Sequence, residues 1–480
     1  MSQFKNAEKV LPQVYPALAV GLAMFCLGFD QAWSSPAIPS LKKELKFNLS
    51  ETDLDIIMSI NPAGSFLGAL CVGMLINSLG RRGTVMALSP LYIGSYLLTG
   101  FAVNRIMIIT GRFICGFLAG AASPASQIYV SEISSPCIRG RLGSLAGIFL
   151  TVGILVAYGF GAFLNWNQLS LFGITFPALL GLSTLFIPES PSWYIIKQKD
   201  SLALKSLQRL RGRNTDVSGE FKIKKESSER IKKMPEITLR NASDPKFWKP
   251  LALSSMLMIA QQFSGNLAVV FNTVSIFEST GSTLSPSVSS VITGSIMVIF
   301  TIGMTFLIDK AGRKALLLFS SAGMGLSHSL LGSYFYIQAN YPQEVINSIS
   351  WLPLVSLITF FIFYALGYNG IPFMMLGELL PLRYRGICSS LSGAVNRLFA
   401  VIVVITFPLM QDTFGKYGCY WFYSACCCLS TFSVFYFVPE TKGKSLEEIE
   451  TLFETSFTSE LIDGIQNKAF SDSSDLDSKL

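Results

Sequence analysis

Charged and amide side chains inside long apolar segments are the residues of this chain that could do chemistry. Asp30 and Arg112 carry opposite charges within two such segments. A carboxylate in apolar surroundings is tolerated beside a cation, and its proton affinity rises when the two separate, so this pair could brace the fold or carry a proton. The consecutive amides Gln261 and Gln262 each donate and accept hydrogen bonds, which suits a hydroxyl-rich solute or contacts between helices.

Arg397 is a third charge within an apolar segment. It lies about nine residues into its predicted helix, roughly 13 Å deep at 1.5 Å per residue, where inserting an arginine costs about 2.5 to 3.5 kcal/mol. Its guanidinium group must therefore face protein or water. Two interpretations are open. Arg397 lines a central cavity and selects an anionic or strongly accepting solute, or it has a structural partner such as Glu378 or a helix carbonyl.

Twelve apolar segments position these side chains. Half of the 480 residues are hydrophobic and only 14% are charged, against roughly 25% in soluble domains, and the mean hydropathy is +0.48. Runs of about 20 apolar residues, the length of a membrane-spanning helix, are centred near Leu22, Phe66, Tyr92, Leu118, Val152, Leu179, Ile259, Ile296, Gly325, Phe361, Ile402 and Leu429.

A polar segment from Pro188 to Lys249 separates six apolar runs from the other six. The sequence thus predicts an all-α integral membrane protein with twelve transmembrane helices. Its parts are an N-terminal six-helix half (residues 1–187), a cytoplasmic linker (188–249), a C-terminal six-helix half (250–438) and a cytoplasmic tail (439–480).

Lysine and arginine are divided very unequally between the two predicted membrane sides. Thirty lie on the side of the termini and five on the other, which predicts a multi-pass plasma-membrane protein with both termini in the cytoplasm. The net charge of +7 is then a topology signal and indicates no nucleic-acid partner. The sequon at Asn48 falls outside and is a predicted glycosylation site.

The composition argues against several kinds of chemistry. The chain has one histidine, which disfavours a zinc enzyme or a histidine-dependent hydrolase. It has neither the phosphate loop of an ATP-driven pump nor a potassium-channel filter sequence. We therefore expect no enzyme activity, no catalytic residues, no metal and no cofactor.

Three motifs recur in the same order in the two halves, each at a predicted cytoplasmic helix end. Parallel repeats of this kind predict a solute site at the midplane between the halves, reached alternately from each side. The motif pairs are Gly80-Arg81-Arg82 with Gly312-Arg313-Lys314, Glu132 seven residues before Arg139 with Glu378 seven before Arg385, and Pro188-Glu189-Ser190-Pro191 with Pro439-Glu440-Thr441-Lys442.

These motifs bring acids and bases to one membrane level. Glu132 and Glu378 end helices whose C-terminal dipoles repel a carboxylate, so each needs a cationic partner. We predict a cytoplasmic gate whose ion pairs hold the two halves shut; the alternative is that the arginines only determine topology. The predicted gate residues are Arg81, Arg82, Glu132, Arg139, Asp309, Arg313, Glu378 and Arg385.

The sequence resembles the sugar porters of the major facilitator superfamily, and within them the insect facilitated trehalose transporters, over all but about the last thirty residues. The resemblance implies the major facilitator fold and alternating-access transport of a sugar or related polyhydroxylated solute, such as trehalose or glucose. It is carried by Ser35-Pro36-Ala37-Ile38-Pro39 after helix 1, Gly80-Arg81-Arg82, Gly111-Arg112, Pro188-Glu189-Ser190-Pro191, Gln261-Gln262-Phe263-Ser264-Gly265, Gly377-Glu378-Leu379-Leu380-Pro381 and Pro439-Glu440-Thr441-Lys442-Gly443.

The resemblance also implies a set of solute-binding residues. Gln261, Gln262 and Asn396 match the family's amide positions, although contacts between helices are an alternative role for all three. Asn266 stands one place before the family's asparagine, and Phe373 and Arg397 stand where the family has tryptophan. Because of these departures the identity of the solute does not carry over.

The resemblance leaves two interpretations of the transport mode open. Asp30 and Arg112 match the ion pair of proton-coupled sugar symporters, whereas the insect trehalose facilitators are uniporters. We expect facilitated diffusion, with proton-coupled symport through this pair, or a sugar sensor that does not transport, as alternatives. The expected partners are a carbohydrate, the lipid bilayer and, under symport, protons.

Overall fold

A computed structural model shows that the regular elements of the chain are α-helices throughout the part it describes. That part comprises residues 11–44, 49–135, 138–212, 215–233, 245–280, 284–380 and 384–442.

The first half and the linker contain ten helices among the described residues. They are Leu11–Lys42 (α1), Glu51–Leu79 (α2), Arg81–Gly100 (α3), Arg105–Ile133 (α4), Arg139–Gly161 (α5), Trp166–Gly173 (α6), Thr175–Thr184 (α7), Pro191–Ile196 (α8), Asp200–Arg211 (α9) and Ser218–Lys233 (α10).

The second half contains eight helices in the part of the chain that the structure describes. They are Pro245–Phe263 (α11), Asn266–Thr280 (α12), Pro286–Ala311 (α13), Arg313–Asn340 (α14), Gln343–Ser348 (α15), Leu352–Leu366 (α16), Ile371–Leu379 (α17) and Arg385–Phe437 (α18). The seventh predicted span begins at Pro245, inside the range expected for the linker.

The twelve predicted spans all fall on helices, and the predicted all-α architecture of two six-span halves is confirmed. By length and composition, eight helical stretches of the described chain could each cross a membrane. Spans six, seven and ten are each built from two shorter helices in sequence: α6 with α7, α11 with α12, and α16 with α17. The long helix α18 supplies two spans, because the backbone leaves helical geometry at Gly415, where φ is +71°.

Alternating helix directions place the start of α1 and the end of α4 at one face of the bundle, which we call the terminal face. There the backbone N–H of Ser135 donates to the Gln13 side chain at 2.8 Å. The other side of the bundle is called the opposite face.

The first helix is longer than its apolar run predicts. The sequence predicts that Ser35 to Pro39 follow this helix, but α1 continues through Pro36 and Pro39 to Lys42. Those residues are largely buried, so packing offsets the backbone hydrogen bonds that the prolines cannot make. Asp30 lies twelve residues before Lys42, roughly 18 Å along the helix.

Close backbone contact between α2 and α4 positions the polar residues described below. A Cβ atom on Gly116 would clash with the carbonyl oxygen of Asn61, and one on Gly120 with that of Ser65. Small residues of this kind let membrane helices approach closely. The glycines of α4 thereby hold Asn61 and Ser65 beside the helix that carries Arg112.

Candidate functional site

Asp30 and Arg112 form a buried ion pair that joins α1 and α4. Arg112 Nη1 donates to Asp30 Oδ1, while its Nη2 donates to the Asp30 carbonyl oxygen at 3.1 Å and to Ser34 Oγ at 3.2 Å. The guanidinium carbon lies 4.6 Å from the centre of the Trp33 ring. Both charged side chains are almost completely buried. The structure thus brings together the two charges that the sequence placed in separate segments.

Asn61 of α2 completes this site and is not among the residues predicted from the sequence. Its amide nitrogen donates to Asp30 Oδ2 at 2.7 Å and to the carbonyl oxygen of Arg112 at 3.2 Å. Both carboxylate oxygens of Asp30 are therefore bound. The available signal was an amide residue directly before Pro62 within an apolar run.

Three of the four predicted solute-binding amides of the second half meet in one buried cluster. Gln262 Nε2 donates to Asn396 Oδ1 at 3.1 Å, and Asn396 Nδ2 donates to Gln261 Oε1 at 2.8 Å. The amide nitrogen of Gln261 donates to the carbonyl oxygen of Tyr368 at 2.6 Å. In this conformation the amides bind one another and neighbouring backbone, so they link α11 to α18.

A break in the seventh span lies directly beside this cluster. The chain leaves helical geometry at Gly265, where φ is +76°, and α12 begins at Asn266. The side-chain oxygen of Asn266 is buried and has no hydrogen-bond partner in the described structure. Phe373, on α17, is partly buried.

A small cavity between the two halves is lined by Arg397. It has room for about one water molecule,. Arg397 lies twelve residues into α18, roughly 18 Å along the helix rather than the predicted 13 Å, because the helix begins earlier than expected. The lining residues are Gln31, Asn61, Pro62, Ser65 and Ala119 of the first half, and Leu267, Phe271, Arg397 and Ala400 of the second.

Arg397 makes no hydrogen bond or ion pair with any residue that the structure describes. Glu378, the partner considered from the sequence, is bound to Arg313 and Thr441 instead. The structure thus places Arg397 at the cavity, and its role in solute selection stays a prediction.

The acid and base motifs of the first half form one cluster at the terminal face. Arg81 Nη2 donates to Glu132 Oε1 at 2.9 Å, and the hydroxyl of Ser190 donates to the other oxygen of Glu132. The carboxylate of Glu189 accepts from the backbone N–H groups of Arg81 and Arg82, each at 3.0 Å.

The second half repeats this arrangement. Arg313 Nη2 donates to Glu378 Oε1 at 3.1 Å, and the Thr441 hydroxyl donates to Glu378 Oε2 at 2.5 Å. Glu440 accepts from the backbone N–H groups of Arg313 and Lys314, each at 3.0 Å. The sequence repeat is therefore a repeat of hydrogen-bond geometry.

These bonds join helices of the same half. Across the described residues, hydrogen bonds between the halves lie toward the opposite face instead: Tyr158 Oη donates to the Val270 carbonyl oxygen at 2.9 Å, and the Val274 N–H donates to Ser35 Oγ at 2.9 Å. A gate that closes the terminal face across the two halves stays a prediction for another conformation.

The remaining predicted residues are placed as follows. Arg82 donates to the carbonyl oxygens of Thr184 and Leu185, and Arg139 is exposed. The side chains of Asp309 and Arg385, and the whole of Asn48, fall outside the described residues.

Known proteins resemble this chain in sequence and in fold. A family model described as "Sugar (and other) transporter" matches residues 17–453. The facilitated trehalose transporter Tret1 of Drosophila yakuba is 36% identical over 448 residues, which cover 93% of this chain and 52% of that protein. A Tret1-2 homolog of Drosophila sechellia is 37% identical, with 93% of this chain and 91% of that protein covered. The chain thus spans about half the length of the first of these relatives.

Solved structures of a major facilitator protein share the fold. The proton:xylose symporter XylE bound to 6-bromo-6-deoxy-D-glucose aligns with a TM-score of 0.76 at 24% identity, covering 92% of this chain and 99% of that chain. The xylose transporter XylE from E. coli in a partially occluded inward-open conformation aligns with a TM-score of 0.76 at 23% identity, covering 90% and 99%.

Proposed function

This chain belongs to the family of sugar and other transporters, and we propose that it moves a sugar or related polyhydroxylated solute, such as trehalose or glucose, across a membrane by alternating access. The observation that carries the proposal is the buried amide cluster of Gln261, Gln262 and Asn396 beside the helix break at Gly265. Each amide both donates and accepts, so it can exchange a bond to its neighbour for one to a solute hydroxyl.

Entry of the solute requires the halves to separate. The cavity at the centre admits about one water molecule,, while hydrogen bonds join the halves toward the opposite face. We propose that residues 1–187 and 250–438 rock against each other, with the linker of residues 188–249 between them. The excess of lysine and arginine supports a cytoplasmic terminal face and a place in the plasma membrane.

Facilitated diffusion is the transport mode that the ion pair supports. Both oxygens of Asp30 are bound, one by Arg112 and one by Asn61, and such a closed pair suits a structural brace. Proton-coupled symport is the second candidate, because separation of the pair in another conformation would raise the proton affinity of Asp30.

Uptake by purified protein in liposomes tests these proposals. Labelled trehalose, glucose, a polyol and a sugar acid should include at least one solute whose entry saturates; binding without flux would instead favour a sensor. Facilitated diffusion of a neutral solute predicts electroneutral uptake that does not depend on pH. Uptake that rises as external pH falls and carries inward current, with accumulation lost and exchange retained in Asp30→Asn, would replace facilitated diffusion by proton symport.

A further inference from the structure

An unpaired positive charge lies at the centre of this protein. The charges of Asp30 and Arg112 cancel in a buried pair, whereas Arg397 lines the cavity with no hydrogen-bond or ion-pair partner among the described residues. An arginine at this depth is costly unless an anion or water compensates it. The cavity therefore carries one excess positive charge.

The other polar groups of the cavity are also free to bind. The hydroxyl of Ser65 is buried without a hydrogen-bond partner in the described structure. Asn61 uses both amide hydrogens on Asp30 and Arg112, which leaves its carbonyl oxygen available as an acceptor. The amide of Gln31 lines the same space. Hydroxyl and amide groups of this kind match the hydroxyls of a solute.

We infer that the transported solute is a polyhydroxylated carboxylate, a sugar acid, and that Arg397 is its counter-ion. This inference rests on the proposed transport function and names its substrate class. The planar guanidinium group matches a carboxylate through two parallel hydrogen bonds. Leu267 and Phe271, which line the same cavity, offer an apolar surface to the C–H groups of the ring.

A carboxylate fits this site better than a phosphate ester. A phosphate group carries a charge of about −1.5 to −2 at pH 7, so it would need a second cation. Arg397 is the one charged residue that lines the cavity within the described chain, and Arg112 is already paired with Asp30.

Glucuronate and glucose are matched probes for this inference, because they differ only in whether carbon 6 is a carboxylate or a hydroxymethyl group. Wild-type protein in liposomes should take up labelled D-glucuronate with a lower half-saturation concentration than D-glucose. Loss of a charge-assisted bond predicts that Arg397→Gln raises the glucuronate value roughly ten- to a hundredfold and the glucose value by less than about threefold. Arg397→Lys keeps the charge but cannot make the two parallel hydrogen bonds. Its half-saturation concentration for glucuronate should therefore lie between those of the wild type and Arg397→Gln.

Arg105→Gln is the control, since Arg105 is an exposed arginine paired with Asp53 away from the cavity. It should leave both half-saturation values unchanged. If wild-type protein moves glucose but glucuronate neither enters nor competes, the inference is wrong while the transport function stands. If no sugar, polyol or sugar acid is moved, the proposed function itself fails.

Thermal unfolding in detergent separates a binding role from a structural one. Glucuronate should raise the Tm of the wild type because it binds the folded state, and at the same concentration should raise that of Arg397→Gln much less. Without solute, Arg397→Gln should unfold at or above the wild-type Tm, because it removes an uncompensated charge. A lower Tm without solute would show that Arg397 supports the fold instead, and an equal rise with glucuronate in both proteins would show that Arg397 does not bind the carboxylate.

Discussion

Replacing Asp30 by asparagine should leave the guanidinium group of Arg112 buried without an anion. Removing one partner of a buried ion pair costs about 3 to 5 kcal/mol. Here Arg112 keeps its bonds to the Asp30 carbonyl oxygen and Ser34, together with the face of Trp33. We therefore expect Asp30→Asn to lower the free energy of unfolding by about 3 kcal/mol, toward the lower end of that range.

A double-mutant cycle isolates the charge effect from the other contacts. The variant Asp30→Asn/Arg112→Gln contains no buried charge at this site, so it should lose less stability than the two single variants together. The expected interaction energy is about 2 to 3 kcal/mol. The free energy of unfolding can be followed by detergent titration in mixed micelles, with tryptophan fluorescence as the signal.

The exposed pair of Arg105 and Asp53 is the matched control for this cycle. Arg105 is 59% exposed at its side chain, and surface pairs contribute about 0 to 1 kcal/mol. Arg105→Gln should therefore cost less than about 1 kcal/mol. Two outcomes would refute the assignment of a buried ion pair that braces the fold. One is a double variant whose loss of unfolding free energy equals the sum of the losses in both single variants. The other is an Asp30→Asn variant that is no less stable than Arg105→Gln.

Three further predictions concern the amide cluster, the helix contact and the terminal face. Gln261→Leu should raise the half-saturation concentration for the transported solute about five- to tenfold, from the loss of a hydrogen bond, with surface expression maintained; unchanged kinetics would remove Gln261 from the site. Gly120→Ala should lower the free energy of unfolding by about 1 to 3 kcal/mol through overpacking against Ser65. Gly73 has open space around it, so Gly73→Ala should be neutral or slightly stabilising. Equal effects of the two variants in an unfolding titration would contradict the close contact between α2 and α4. Partial burial raises the pKa of Glu440, but backbone N–H groups that donate to its carboxylate outweigh this effect and hold the pKa below its usual 4.5. The ionised carboxylate therefore stabilises the fold above about pH 4.5, and this stabilisation is lost as the pH falls through the lowered pKa. Glu440→Gln should reduce this acid-dependent loss of Tm; an identical pH profile of Tm in the variant and the wild type would exclude a stabilising role of the Glu440 carboxylate.

The sequence by itself determined the architecture, because membrane insertion is decided by local composition. Runs of about 20 apolar residues must form helices in a bilayer, since every backbone polar group needs an internal partner there. Each apolar run meets this requirement by itself when it forms a helix. All twelve spans could therefore be counted before any packing was known. The repeated motifs likewise predicted two parallel halves, and the same acid-to-backbone geometry recurs at Glu189 and Glu440.

Only the tertiary structure decided which polar side chains meet. The apolar run of α1 gave no sign that packing would carry the helix through Pro36 to Lys42. Asn61 reaches Asp30 because the glycines of α4 let α2 approach closely, and Glu132 and Glu378 bind arginines of their own halves. The sequence equally allowed Arg397 a partner or a cavity. Such choices depend on the rotation and crossing of helices far apart along the chain, and a difference of a few ångströms in their approach determines whether a buried charge is paired.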